Sequence, residues 1–305
     1  MRRAVAPAQA RRHSDAGPSL AVRASRYRHS VPALPLALSF LAAGLIAPPA
    51  LRYLYEQGFS RENFRGRRVP FPAGLLIVAA ATITLVPLAL LDELAGADDV
   101  LAPEFGRVAV YVLGVAFLGL VDDVFSGASR GWRGHGRAVL RGDFATGALK
   151  AVGSLGLALY TLSGGGYGAG GYLVAVALLV LATNLFNLLD LRPGRSVKAF
   201  VALAAAVTIA TMDTEPLWAL GLFSGAVLAI GAWDLRELAM LGDAGSNVVG
   251  ALAGLWLILA LGTAGQAVAL VLIALITVYG EFRSLSALIE RTPGLRQLDS
   301  LGRPA

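Results

Sequence analysis

A chain of 305 residues that is 56% hydrophobic and only 15% charged has too little polar surface to cover a water-soluble globule, so lipid is its main solvent. The absence of cysteine excludes disulfides, thiolate metal sites and a cysteine nucleophile, and only His13, His29 and His135 are available for a zinc cage or a serine-type triad. The net charge of +6 lies in short loops between apolar runs, the pattern of a membrane-topology signal and not of a nucleic-acid surface.

In chain order, residues 1 to 30 form a basic tail that offers no packed core, and the sequence reads there as disordered or as preceding a true start at Val22 or Val31. A spanning helix needs about 20 apolar residues. Nine candidates follow, at roughly 31 to 51, 70 to 91, 107 to 121, 145 to 162, 170 to 190, 196 to 212, 215 to 234, 244 to 261 and 265 to 281. The third is short, and Lys150 falls inside the fourth. The expected fold is all-α: one polytopic transmembrane bundle over residues 31 to 281 with about nine spans, followed by a C-terminal tail over 282 to 305.

Positive charge is confined to alternate loops. Residues 52 to 69, 122 to 144, 191 to 198, 235 to 243 and the segment after 281 carry almost all of it, whereas the opposite set holds Asp92, Glu93, Asp98, Asp99, Glu104, Asp213 and Glu215. Cytoplasmic loops are the basic ones, so the first set and the C-terminus are expected inside. Nine spans then put the N-terminus outside, against the seven arginines of residues 1 to 30.

Four motifs fall on the basic face. Gly119-Leu120-Val121-Asp122-Asp123 closes the third segment with an acid pair, which alone reads equally as a helix end at the water interface. Asn184, Asn187 and Asp190 close the fifth at a spacing that shares one helix face. Polar side chains inside lipid are expensive and are functional candidates, with helix-to-helix glue as the plainer reading. Leu241-Gly242-Asp243-Ala244-Gly245-Ser246-Asn247 opens the eighth with a tight turn, free N–H groups and a carboxylate. Such a start suits a phosphate and hard Mg²⁺, which takes one or two carboxylates plus phosphate oxygens. Arg192-Pro193-Gly194-Arg195-Ser196-Val197-Lys198 follows Asp190 as a phosphate clamp or an ordinary basic loop.

Taken together, these motifs resemble the polyprenyl-phosphate N-acetylhexosamine-1-phosphate transferase superfamily, over about residues 50 to 281. Asp122-Asp123 resemble its aspartate pair, Asn184, Asn187 and Asp190 its Asn-x-x-Asn-x-x-Asp element, and Gly242 to Ser246 its Gly-Asp-x-Gly-Ser turn. The stretch from Asn63 to Pro70, leading to Gly74, is similar to its basic loop. The resemblance implies a bacterial inner-membrane enzyme with a cytoplasmic site, moving a sugar-1-phosphate from a UDP-sugar to a polyprenyl phosphate with Mg²⁺ in cell-envelope glycan synthesis.

It further implies that Asp122, Asp123, Asp190 and Asp243 are catalytic, with the metal on Asp243 and Asp123. Asn184, Asn187, Arg195, Lys198 and Arg67 would bind substrate. The chain departs from the family pattern in two places: Pro193 stands where the second acid of Asp-Gly-x-Asp-Gly belongs, and no histidine box follows Glu281. These departures give weight to an alternative, a non-catalytic paralogue that binds lipid phosphate or an assembly partner. A transporter ranks third, because its polar groups belong near the bilayer midplane. A homodimer is compatible with either leading reading.

Overall fold

The computed structural model describes residues 33–94, 100–125 and 146–304. The expected tail over 1 to 30 and most of the basic loop over 122 to 144 lie outside the described residues. Among the described residues, nine long helices stand where the nine apolar segments are: α1 (Leu34–Glu56), α2 (Leu75–Leu94), α3 (Phe105–Phe125), α4 (Thr146–Leu162), α5 (Ala169–Leu189), α6 (Arg195–Thr211), α7 (Glu215–Leu235), α8 (Gly242–Ala260) and α9 (Thr263–Phe282). Seven of them are long and apolar enough to cross a membrane, α4 and α6 being 17 residues each. The chain is thus an all-α, multi-pass membrane protein.

Helix α8 is the axis of the bundle. Every residue from Ala244 to Ile258 is buried, because α3, α5, α6 and α7 surround it. Helix α1 packs along α7 and α2, and α9 along α5. On the outer helices Leu45, Ile83, Phe117, Val152 and Leu275 are exposed, a surface that is stable only where lipid covers it.

Two elements depart from the expected loops. Residues 60 to 70, mostly within the loop expected over 52 to 69, form an antiparallel hairpin, β1 (Ser60–Glu62) with β2 (Arg68–Pro70), in which Arg61 faces Val69. Its turn is held by the buried Asn63, whose Oδ1 accepts the N–H groups of Arg65 and Arg67 at 2.9 and 3.0 Å. The exit of the hairpin is bonded to the approach to α8, with Met240 N–H on Pro70 O and Gly74 N–H on Leu241 O. The segment after α9 forms two short helices, α10 (Leu285–Arg291) and α11 (Pro293–Ser300), docked on the start of α6.

Candidate active site

Because the helices alternate in direction, the ends of α3, α5 and α7 and the starts of α4, α6 and α8 gather at one end of the bundle. Close approach there depends on missing side chains. A Cβ on Gly119 would lie 2.4 Å from the main-chain oxygen of Asp243, so α3 meets the first turn of α8 backbone to backbone. Gly242 has φ +72, and a Cβ there would stand 2.7 Å from Asp123 Oδ2.

The acid pair divides its labour. Asp123 is buried, and its carboxylate accepts the N–H of Asp243 at 2.9 Å and that of Ala244 at 3.0 Å. It therefore caps α8 from another helix and neutralises N–H groups that would otherwise face an anion. Asp122 faces the Asp243 carboxyl and Thr146 at the start of α4, near enough for both to act on its charge. Two carboxylates at such range must share a proton or a cation. A cation is present in Lys150, whose Nζ lies 2.8 Å from Asp243 Oδ2, with 15% of its side chain exposed and 33% of that of Asp243. The Asn187 amide borders Asp243 and donates to Ser246 Oγ at 3.0 Å, tying α5 to the same turn.

Asp190 stands beside this cluster. It accepts from Ser196 Oγ at 3.0 Å, and its charge interacts most strongly with Asp234, and also with Asp243 and Asp123. The buried Asp234 fixes the turn between α5 and α6, accepting the Gly194 N–H at 2.6 Å. A small cavity of about 60 Å³ lies here, bounded by Asn63, Phe64, Asp190, Arg192 and Asp234 among others.

The basic residues are placed differently from the sequence reading. Arg195 is buried and gives one guanidinium edge, Nε and Nη2, to the two Asp299 oxygens at 2.8 and 2.9 Å and a third bond, from Nη1, to Ser286. Lys198 donates to the main-chain oxygens of Leu298, Asp299 and Leu301. Arg67 and Asn184 are exposed. The hairpin arginine that reaches the cluster is Arg61, which lies over Phe71 at 3.9 Å and donates to the Asp123 main-chain oxygen at 3.2 Å. Three functional candidates were thus missed in the sequence: Lys150, Arg61 and Asp234. The signal for Lys150 is a lone charge within an apolar run; Asp234 closes such a run just before Arg236 and Glu237, and Arg61 has no signal, being one arginine among five between Arg52 and Arg68.

The residues present suit a hard divalent ion. Asp122 and Asp243 form an oxygen pair beside a neutral amide, leaving coordination places for phosphate oxygens and water. Asp123 is engaged by backbone N–H groups, so Asp122 is the better placed partner for Asp243. The fold and this cluster together define a helical membrane protein with a cationic and carboxylate centre at one end of its bundle. No protein-family model matches the chain, and no curated protein matches it.

Proposed function

We propose that the chain transfers a sugar-1-phosphate from a UDP-sugar to a polyprenyl phosphate, releasing UMP. The observation that carries this reading is the meeting of Asp122, Lys150 and Asn187, from three other helix ends, around Asp243 at the start of α8. Phosphoryl transfer requires mainly positioning and charge neutralisation, and this centre supplies both. Lys150 and Arg61 stand where they balance phosphate charge, and Asn187 orients the Asp243 carboxylate. Asp122, beside Asp243, is available to take a proton from the acceptor phosphate. Asp243 and Asp122 would hold Mg²⁺, which would supply neutralisation of the diphosphate charge and leave Lys150 free to face a phosphate. The acceptor oxygen then forms its bond to the β-phosphorus as the bond to the UMP oxygen breaks.

The same reading makes the gathered end of the bundle cytoplasmic, in a bacterial inner membrane, because the basic loops all lie there. It counts α4 and α6 among nine spans, since 17 residues rise about 26 Å, close to a thin hydrocarbon core. The test is UMP release by purified protein given undecaprenyl phosphate and a panel of UDP-sugars, with and without Mg²⁺. Release that requires Mg²⁺ supports the transferase; binding of undecaprenyl phosphate with no release from any donor replaces it with a non-catalytic lipid-phosphate binder.

A further inference from the structure

The segment after α9 carries uncompensated positive charge. Its two acids past α9 are already engaged, Glu290 with Arg192 at 3.0 Å and Asp299 with Arg195 at 2.8 Å. The side chains of Arg283, Arg291 and Arg296 are exposed and bond to no described residue. Three guanidinium groups without counter-charges favour an anionic surface.

Its apolar side is uncovered as well. Leu288, Leu295, Leu298 and Leu301 are exposed. Within α11, Leu295 and Leu298 stand three residues apart on one side of the helix, whereas Arg296, Gln297 and Ser300 lie on the other. Leucine on one side and arginine on the other suit the boundary between hydrocarbon and water.

The path of the segment says what covers that side. It begins where α9 ends, with Leu285 packed against Gly280, and it reaches the end of α7, where Gly302 lies against Leu235. Both α7 and α9 are long and apolar enough to span a membrane, and both finish at the same end of the bundle. The segment therefore runs from one membrane exit to another, at the level where hydrocarbon gives way to water. Leu295 and Leu298 border the same opening as Val201 and Ala202, which are exposed on α6. The leucine side thus continues the surface that lipid covers.

We propose that α10 and α11 form an interfacial anchor: their leucines enter the bilayer at its surface, and Arg283, Arg291 and Arg296 meet the headgroups of anionic phospholipids. The anchor rests on the membrane fold alone and not on the transferase reading. Because the full chain lacks cysteine, Leu298→Cys and Gln297→Cys can each carry a single environment-sensitive dye in mixed vesicles of phosphatidylcholine and phosphatidylglycerol. Quenching is measured with a neutral aqueous quencher, and with each lipid spin-labelled in turn at equal fraction. The dye at Leu298 should be quenched by spin-labelled lipid and be roughly fivefold less open to the aqueous quencher than the dye at Gln297. Spin-labelled phosphatidylglycerol should quench it roughly threefold more than spin-labelled phosphatidylcholine, and Arg283→Gln, Arg291→Gln and Arg296→Gln together should make the two equal. The triple variant changes only exposed side chains and should keep the wild-type melting temperature; if Leu298→Cys does not fold, Leu295→Cys takes its place. Equal aqueous quenching at the two positions puts the segment in water, and shielding of Leu298 from both quenchers puts it against protein; either overturns the anchor. No preference for phosphatidylglycerol in the wild type, or a preference that survives the triple variant, overturns the anionic partner.

Discussion

Asp123→Asn is expected to damage stability, whereas Asp243→Asn damages chemistry, although the two residues belong to the same cluster. The Asp123 carboxylate accepts two backbone N–H groups of the first turn of α8 from a buried position. An asparagine keeps one acceptor and turns an NH₂ group toward the other N–H, so one charge-assisted bond is lost and one buried donor is left without an acceptor. Each such bond is worth about 1.5–3 kcal/mol and an N-cap about 1 kcal/mol, which puts the total near 2–4 kcal/mol. In a chain of this size that lowers the melting temperature by roughly 3–6 °C.

At Asp243 the account runs the other way. Its carboxylate pairs with Lys150 but also opposes Asp122, and at about 4 Å two carboxylates repel by about 4 kcal/mol at an effective dielectric of 20. Asp243→Asn therefore loses an attraction and a repulsion together and should melt within about 2 °C of wild type, while Mg²⁺-dependent UMP release disappears. The measurements are thermal unfolding by tryptophan fluorescence in detergent and the transfer assay. Wild-type melting of Asp123→Asn, or a marked loss of stability in Asp243→Asn with transfer intact, would falsify the division of roles between them.

Lys150→Met should reduce transfer at least a hundredfold and enlarge the rise in melting temperature produced by Mg²⁺, because the ion then has no competing ammonium at Asp243; an unchanged Mg²⁺ response counts against Lys150 as the resident cation. Gly119→Ala places a methyl 2.4 Å from the Asp243 main-chain oxygen, and the overpacking should cost about 1–3 kcal/mol together with most of the activity, read by melting and UMP release.

Asp299→Asn leaves the buried Arg195 half-paired and should release the C-terminal helices, seen as higher anisotropy of a dye on Leu301→Cys in this cysteine-free chain. The same probe gives a pH dependence. Partial burial raises the Asp299 carboxyl, but its bonds with Arg195 and Arg303 outweigh that and hold it at about 2, below the usual 3.8. A depressed acid contributes stability above the unfolded value and loses it as pH falls through the folded one. Anisotropy should therefore be flat from pH 7 to about 5 and rise between about 4 and 2.

The apolar runs by themselves determined the all-α membrane architecture, because only helices satisfy their own backbone groups in lipid and each needs a continuous apolar stretch. Alternation of direction then carried Asp122, Asp190 and Asp243 to one end of the bundle, so the neighbourhood of the site was legible before any contact was known. The hairpin at Ser60–Pro70 was not, since its two three-residue strands lack the alternation that marks a β segment. Nor was the docking of α10 and α11, which rests on one acid, Asp299, meeting two arginines from distant or turn-separated positions.

Tertiary structure alone decided which charges face one another. Asp122 and Asp123 are adjacent in sequence, but a helix turns about 100° per residue, so one reaches Asp243 and Lys150 while the other caps α8. Arg195 and Lys198 sit beside Asp190 in sequence but lie under the C-terminal helices in space. Partners contributed from 28 to 121 residues away, such as Lys150 to Asp122 and Asp123 to Ala244, leave no periodic signature in the chain.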